Sequence, residues 1–462
     1  MEERCISIDD LPVGWEQTHL KDVCDIILGQ SPPSETYNTE GEGLPFFQGK
    51  AEFTELHPVA EKWCSAPGKI AEQNDILLSV RAPVGNTNIA DRKCCIGRGL
   101  AVLRFHNHKF LFYYLRSIEK ELDKKGTGTT FKAISGDIVR NVDLPLPPLR
   151  EQHRIVAKIE ELFSELDKGV EALKTAQQQL KVYRQAVLKW AFEGKLTNQN
   201  VVEGELPQGW KYSKLRDITS EKDGLRRGPF GSAVKKEFFV PSGYKVYEQG
   251  NAINDDPYRG HYFIDEKKYL DLVNFKVMPS DLIVSCSGVT LGRISEIPAD
   301  AKPGIINQAL LRIRLKHNLI SNKYFILYFR SAFFQKKIFD QSQGTAMPNL
   351  VGIKDFKEIE LLIPPPLEQH AIVSEIETRL SVADKLEETI SQSLQQAKAL
   401  RQSILKRAFA GKLVPQDPND EPAAKLLERI KAEKSKQVPV KGTDRGRGKK
   451  ALSSPSASVG DP

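Results

Sequence analysis

Two stretches of this chain space their apolar residues alternately by four and three. The first runs Ile155, Ile159, Leu162, Leu166, Gly169, Leu173, Ala176, Leu180, Tyr183, Val187, Trp190. The second runs Ile372, Ile376, Arg379, Ala383, Leu386, Ile390, Ser393, Ala397, Leu400, Ile404, Arg407, with Arg and Ser interrupting it. A heptad stripe of this length predicts two long helices that pack on one another along a seam. At ~1.5 Å per residue, a helix of ~42 residues is about 60 Å long. Pro147 and Pro148 end the strand-like segment before the first helix, and Gly194 suits the position just past its end.

The two stretches are copies. Glu151–Leu196 and Glu368–Leu413 align without a gap at a constant offset of 217, and half of their positions are identical. "RQAVLKWAFEGKL" and "RQSILKRAFAGKL" are their matched ends. Any insertion other than whole repeats would turn the seam away from its partner. The repeat extends upstream: "LPVGWEQTHLKDV" returns as "LPQGWKYSKLRDI", "FQGKA" as "EQGNA", "DILLS" as "DLIVS", "YLRS" as "YFRS" and "GTTF" as "GTAM". There the offset drifts from 195 to 216, so the fronts differ in length while the helices do not.

In the fronts, "NDILLSVRAPVGNTNIA" and "SDLIVSCSGVTLGRISEI" alternate apolar and polar residues and end in glycine-containing turns, which predicts strands. "KFLFYYLRSIEKEL" and "SNKYFILYFRSAFFQKKI" read as amphipathic helices. The fold expected is therefore a mixed α/β (α+β) one. Two similar domains of short strands and helices are joined by two long helices, and the molecule is pseudo-twofold. The boundaries expected are 1–148 and 198–365 for the domains and 149–197 and 366–414 for the helices. A basic extension, 415–462, reads as disordered after about Lys434.

Net charge is +7 over 462 residues, and part of the excess lies in that extension. A basic balance suits a polyanionic partner without requiring one. The six cysteines are scattered, with no CxxC pair, as expected of thiols in a reducing cytoplasm. "MEERCISIDD" lacks the apolar stretch of a secretory signal, and no apolar run approaches membrane-spanning length, so no membrane partner is expected.

Catalytic and metal-binding patterns are missing. Neither "QGKA" nor the "GKL" pairs carry the first glycine of a phosphate loop. "NDDPYR" lacks the first proline of an amino-methyltransferase motif, and "FHNHK" is a tripeptide coincidence, not a metal unit. His153 and His370, matched in the first turns of the two helices, read as capping or interface residues. What the fronts do supply is polar, basic loops between their elements. Arg pairs with guanine, Asn or Gln with adenine, and Lys and Arg with phosphates. A pseudo-twofold protein also suits pseudo-twofold duplex DNA. A scaffold gripping proteins is the other class of reading, but it would show more apolar and aromatic loops.

The duplicated set of "LPVGWE" and "LPQGW", "LPLPPLREQHRIV" and "LLIPPPLEQHAIV", "RQAVLKWAFEGKLT" and "RQSILKRAFAGKLVPQDPNDEPAAKLLERIKAEK" resembles type I restriction-modification specificity subunits, from Leu11 to about Lys434. The resemblance implies two target recognition domains, each reading half of an asymmetric bipartite site in double-stranded DNA. It implies an antiparallel coiled coil that sets the gap and docks two methyltransferase subunits. It also implies two motor-nuclease subunits; S-adenosylmethionine, ATP and Mg²⁺ belong to these partners, and this chain carries no catalytic residue or metal of its own. The DNA contacts expected are Arg81, Asn86, Arg98, Lys125, Thr129 and Lys132 in the first domain. In the second they are Arg226, Arg227, Lys235, Arg259, Thr290, Arg293, Thr345 and Asn349. The coil seam expected is Ile155, Ile159, Leu162, Leu166, Leu173, Leu180 and Val187 against Ile372, Ile376, Leu386, Ile390, Leu400 and Ile404.

Overall fold

The computed structural model describes residues 11–128, 132–198, 201, 205–230, 233–286, 288, 290–339 and 350–436. The chain forms two compact units: residues 1–169 with 395–462, and residues 170–394. The long helices, Leu149–Phe192 and Pro366–Phe409, each start in one unit and end in the other. Each unit thus contains the front of one repeat, the first part of its own helix and the last part of the other repeat's helix.

In the first unit a four-stranded antiparallel sheet is ordered Asp25–Leu28, Leu100–Arg104, Ile76–Ser79, Thr87–Ile89. A five-stranded sheet of shorter strands stands beside it, with Leu44–Phe47 parallel to Cys94–Ile96. The second unit repeats the plan. Leu225–Arg227, Leu310–Ile313, Leu282–Ser285 and Ile294–Glu296 make the four-stranded sheet, and Tyr244–Tyr247 lies parallel to Gly304–Ile306. The amphipathic stretches form helices His108–Ser117 and Asn322–Arg330, started by side-chain caps from Asn107 and Ser321.

The repeated thirteen residues seat on the opposite repeat's front. Phe409 packs edge-on against Phe110 and Tyr114, at ring-centroid distances of 5.4 and 5.2 Å. Phe192, its counterpart, packs against Tyr324 and Tyr328 at 5.7 and 4.8 Å. The helix-ending glycines have left-handed φ, +75° at Gly194 and +67° at Gly411. A Cβ there would lie 2.3 Å from Pro207 Cγ and 2.1 Å from Pro12 Cγ, so each glycine is closed over by the proline of an "LPxGW" motif. The tryptophan of each motif then donates to the first glutamate of an "EQH": Trp15 Nε1 to Glu151 Oε2 at 3.1 Å, Trp210 Nε1 to Glu368 Oε2 at 2.8 Å. The duplicated sequence signature is therefore one joint built twice. His153 and His370 beside it are exposed.

Within each unit the two helical stretches run antiparallel. In the first, Arg154 pairs with Asp420 and Arg401 with Asp167; in the second, Asn198 bonds Glu368 and Arg184 bonds Glu387. Ile155, Ile159, Val187, Ile372, Ile376, Ile390 and Ile404 are buried, and Leu162, Leu166, Leu173 and Leu180 are partly buried. The expected seam needs one correction: Leu386 and Leu400 are each 50% exposed. The inward positions are instead Ile376, Leu380, Ala383, Glu387, Ile390, Leu394, Ala397, Arg401, Ile404 and Ala408. Their equivalents 217 positions earlier are Ile159, Phe163, Leu166, Val170, Leu173, Gln177, Leu180, Arg184, Val187 and Ala191, all at least partly buried. The step between core layers is four then three where three then four was expected. Arg379, Ser393 and Arg407 therefore drop out of the seam, and Tyr183 and Trp190 stand on its flank, 38% and 45% exposed.

Candidate nucleic-acid interface

One edge of each four-stranded sheet gathers the polar loops, and backbone hydrogen bonds fix how they meet. In the first unit Gly29 N donates to Leu100 O (2.9 Å), Gly97 N to Phe47 O (2.8 Å), Gly99 N to Gln48 O (3.1 Å), Val80 N to Gly99 O (2.9 Å) and Ile134 N to Val80 O (3.0 Å). The second unit has the same frame: Gly228 N to Leu310 O (2.9 Å), Asn307 N to Tyr247 O (2.9 Å) and Cys286 N to Ala309 O (2.9 Å). Glycine makes this crossing possible. A Cβ on Gly29 would stand 2.1 Å from Gly97 O, and on Gly228 1.8 Å from Asn307 O.

These loops carry no acid. Val80–Ala90, Ile96–Leu100 and Lys125–Ser135 contain no Asp or Glu, nor do Gly224–Val234, Cys286–Arg293 and Lys302–Ala309. At the other end of each sheet Asp75 takes Arg104 in two bonds of 2.8 and 2.7 Å and Asp281 takes Arg314 in two of 2.7 Å. Those bonds hold both guanidinium groups above their ordinary pKa. The cations at that end are thus neutralised, whereas Arg81, Arg98, Arg227 and Arg293 at the loop end have no ion-pair partner among the described residues. A surface of exposed cations and amides on loop segments that contain no Asp or Glu is chemically matched to a phosphate backbone and its base edges.

Of the residues expected to contact DNA, Arg81, Arg98 and Lys132 come together here. Arg81 bridges to Ala133, Ala82 N donates to Lys132 O at 2.9 Å, and Arg98 N donates to Ser31 Oγ at 3.3 Å. The Lys132 ammonium is 2.8 Å from Asp123. Asn86 lies at the hairpin turn on the same edge, its amide bonded to Glu119. Lys125 is exposed just past the helix Glu119–Lys124. In the second unit Arg227, Thr290 and Arg293 share the edge, and Ser285 Oγ ties the hairpin by donating to Thr290 O at 2.7 Å. Ser285 N takes the carbonyl of Arg293 as Ser79 N takes that of Asn86, so these two occupy one structural position. Arg226 faces Asp223 at 3.4 Å and Lys235 faces Glu237 at 3.6 Å. Arg259 is exposed in a turn where Asp256 Oδ1 accepts from Tyr258 N and Arg259 N, which accounts for the "NDDPYR" sequence. Thr129, Thr345 and Asn349 lie outside the described residues.

Sequence reasoning missed three residues on this edge. Gln48 donates to Ser31 Oγ at 3.0 Å, Gln308 occupies the place of Arg98, and Phe230 is 77% exposed beside the Gly228 crossing. The signal was present in the turns "IGRGL" and "INQAL", which align only once the strands around them are placed.

Among the described residues no group of three or more His, Cys, Asp or Glu could hold a metal ion, and no helix is long and apolar enough to cross a membrane. Cys24, Cys64, Cys94, Cys95 and Cys286 are buried, and burial pushes the thiols of Cys94, Cys95 and Cys286 up to about 12.

The type I restriction modification DNA specificity domain matches residues 12–175 and again residues 207–396. The chain belongs to that family. It is a DNA-recognising specificity subunit, in a family whose catalysis lies on other subunits. It is 28% identical to the EcoBI specificity subunit of Escherichia coli, over 93% of this chain and 94% of that one. A putative MjaX specificity subunit of Methanocaldococcus jannaschii is 40% identical over 195 residues, 41% of this chain and 45% of that one. The fold is that of the HsdS subunit from Thermoanaerobacter tengcongensis, with a TM-score of 0.54 and 20% identity over 87% of this chain and 98% of that one. A chain from a structure of type I R-M complex assembly gives a TM-score of 0.66 at 21% identity, over 87% of this chain and 99% of that one.

Proposed function

We propose that each unit of this specificity subunit reads one half of an asymmetric, bipartite duplex site. The observation that carries the reading is the doubled loop edge, built from segments without Asp or Glu. One backbone frame appears twice with different side chains on it, as a split site with unlike halves requires. The long helices set the gap between the halves. Methyltransferase subunits dock on the molecule and methylate adenine with S-adenosylmethionine, and motor-nuclease subunits bring ATP and Mg²⁺ to act on unmodified DNA in the cytoplasm. Two of each partner match the twofold repeat of the chain.

The test is to co-express the full chain with its methyltransferase partner and map modified adenines across the host genome. A two-part asymmetric motif is expected. Unmodified DNA from an assembled complex, beside an active control, would contradict the reading.

A further inference from the structure

We infer that the tip of one matched turn selects a base in each half-site: Arg98 selects guanine in one half, and Gln308 selects adenine in the other. This rests on the bipartite reading above and assigns two of its specificity-determining residues. Gly97–Leu100 is a tight turn closed by Leu100 N to Gly97 O at 3.1 Å, and Asn307–Leu310 is its counterpart, closed by Leu310 N to Asn307 O at 3.2 Å. Each turn is held by the same three bonds from neighbouring strands, and a glycine presses against its first carbonyl. The backbone at the tip is therefore fixed alike in both units. Rigid support of this kind is what accurate readout needs.

The tip residue is where the two turns differ most in chemistry. Arg98 and Gln308 are both exposed, and neither side chain has a hydrogen-bond or ion-pair partner among the described residues. The Val80–Ala90 segment, whose Val80 N donates to Gly99 O beside Arg98, contains no Asp or Glu. A guanidinium presents two parallel donors, which match O6 and N7 of guanine. A carboxamide presents a donor and an acceptor, which match N7 and N6 of adenine. A shared role in phosphate binding fits less well, because the frame is kept while the charge is not.

The experiment selects duplexes from a randomised pool with the full chain and with Gln308→Arg. One position in one half-site is expected to change from adenine to guanine, with a preference of roughly tenfold or more, while the other half-site stays as it was. Arg98→Gln is expected to make the reciprocal change in the other half. An unchanged motif with duplex binding retained overturns the inference, as does uniform weakening across all sequences. If Gln308→Arg abolishes selection altogether, Gln308→Ala decides: relaxed preference at one position supports the assignment, and undiminished strictness overturns it. If the wild-type chain itself selects no two-part motif, the bipartite reading fails instead.

Discussion

Arg184 reaches across to the other long helix and holds Asp384 at 2.7 Å and Glu387 at 2.9 Å. Arg401, 217 positions later, holds Asp167, the equivalent of Asp384, and lies 4.6 Å over the ring of Phe163. A charged residue thus occupies the same inward position in both copies. Its stem covers the apolar seam while its head reaches carboxylates at the rim. The pairs are partly exposed, so each contributes modestly, and a double-mutant cycle on Arg184 and Asp384 is expected to give about 0.5–1 kcal/mol of coupling. Arg184→Ala is expected to cost more than that coupling, because packing is lost too. The check is the shift in thermal midpoint of the single and double variants.

The aromatic ends of the helices give a sharper separation. Phe409→Ala removes a buried ring from the core around Phe110 and Tyr114, at a cost of about 3–5 kcal/mol. Because that core belongs to the first unit, amide exchange should accelerate in Phe110–Leu115 and stay slow in Tyr324–Phe329. Phe192→Ala should do the reverse.

Two glycines, one inside the first long helix and one just past its end, should respond with opposite sign. Gly194 has left-handed φ and is closed over by Pro207, so Gly194→Ala should destabilise by more than about 1 kcal/mol. Gly169 is exposed within the helix, and a Cβ there meets nothing within 4 Å. Gly169→Ala should stabilise by about 0.5–1 kcal/mol. Chemical denaturation of the two variants against the parent reads both.

Burial raises the carboxyl of Glu151 above its ordinary pKa of 4.5, opposed by its bonds from Trp15 and Gln416. A carboxyl with a raised folded-state pKa favours the folded form when protonated. That contribution is present below pH 4.5 and is lost as pH rises through the folded value. Glu151→Gln keeps an acceptor for Trp15 and cannot ionise. Its stability relative to the parent should therefore improve from pH 4 to pH 7; a difference that does not change with pH would contradict this.

Much of the fold was legible because duplication supplies its own control. The gapless 217-residue offset marked the helices, and strands such as "DILLS" and "DLIVS" announced themselves as short apolar runs bounded by polar residues. The layer step of the seam was hidden because two inward positions carry the polar Gln177 and Arg184, whereas the flanking positions offer the apolar Ala176, Tyr183 and Trp190. The second copy divides: Leu380, Leu394 and Ala408 against Arg379, Ser393 and Arg407 favour the true step, whereas Leu386 and Leu400 against Glu387 and Arg401 favour the other. The interface was harder to see. Arg98 stood out as a cation between glycines, whereas Gln308 is defined only by the hydrogen-bond frame around Asn307 and Leu310, which joins segments far apart in sequence.

If the long helices set the gap between the two half-sites, lengthening both must lengthen that gap. The most direct measurement inserts one heptad between Ala176 and Gln177 and one between Ser393 and Leu394, then selects the target site again. Each heptad adds about 10 Å of helix, close to the length of three base pairs. The same two half-sites are expected, with a longer gap between them. An unchanged gap, with both half-sites still selected, would contradict it.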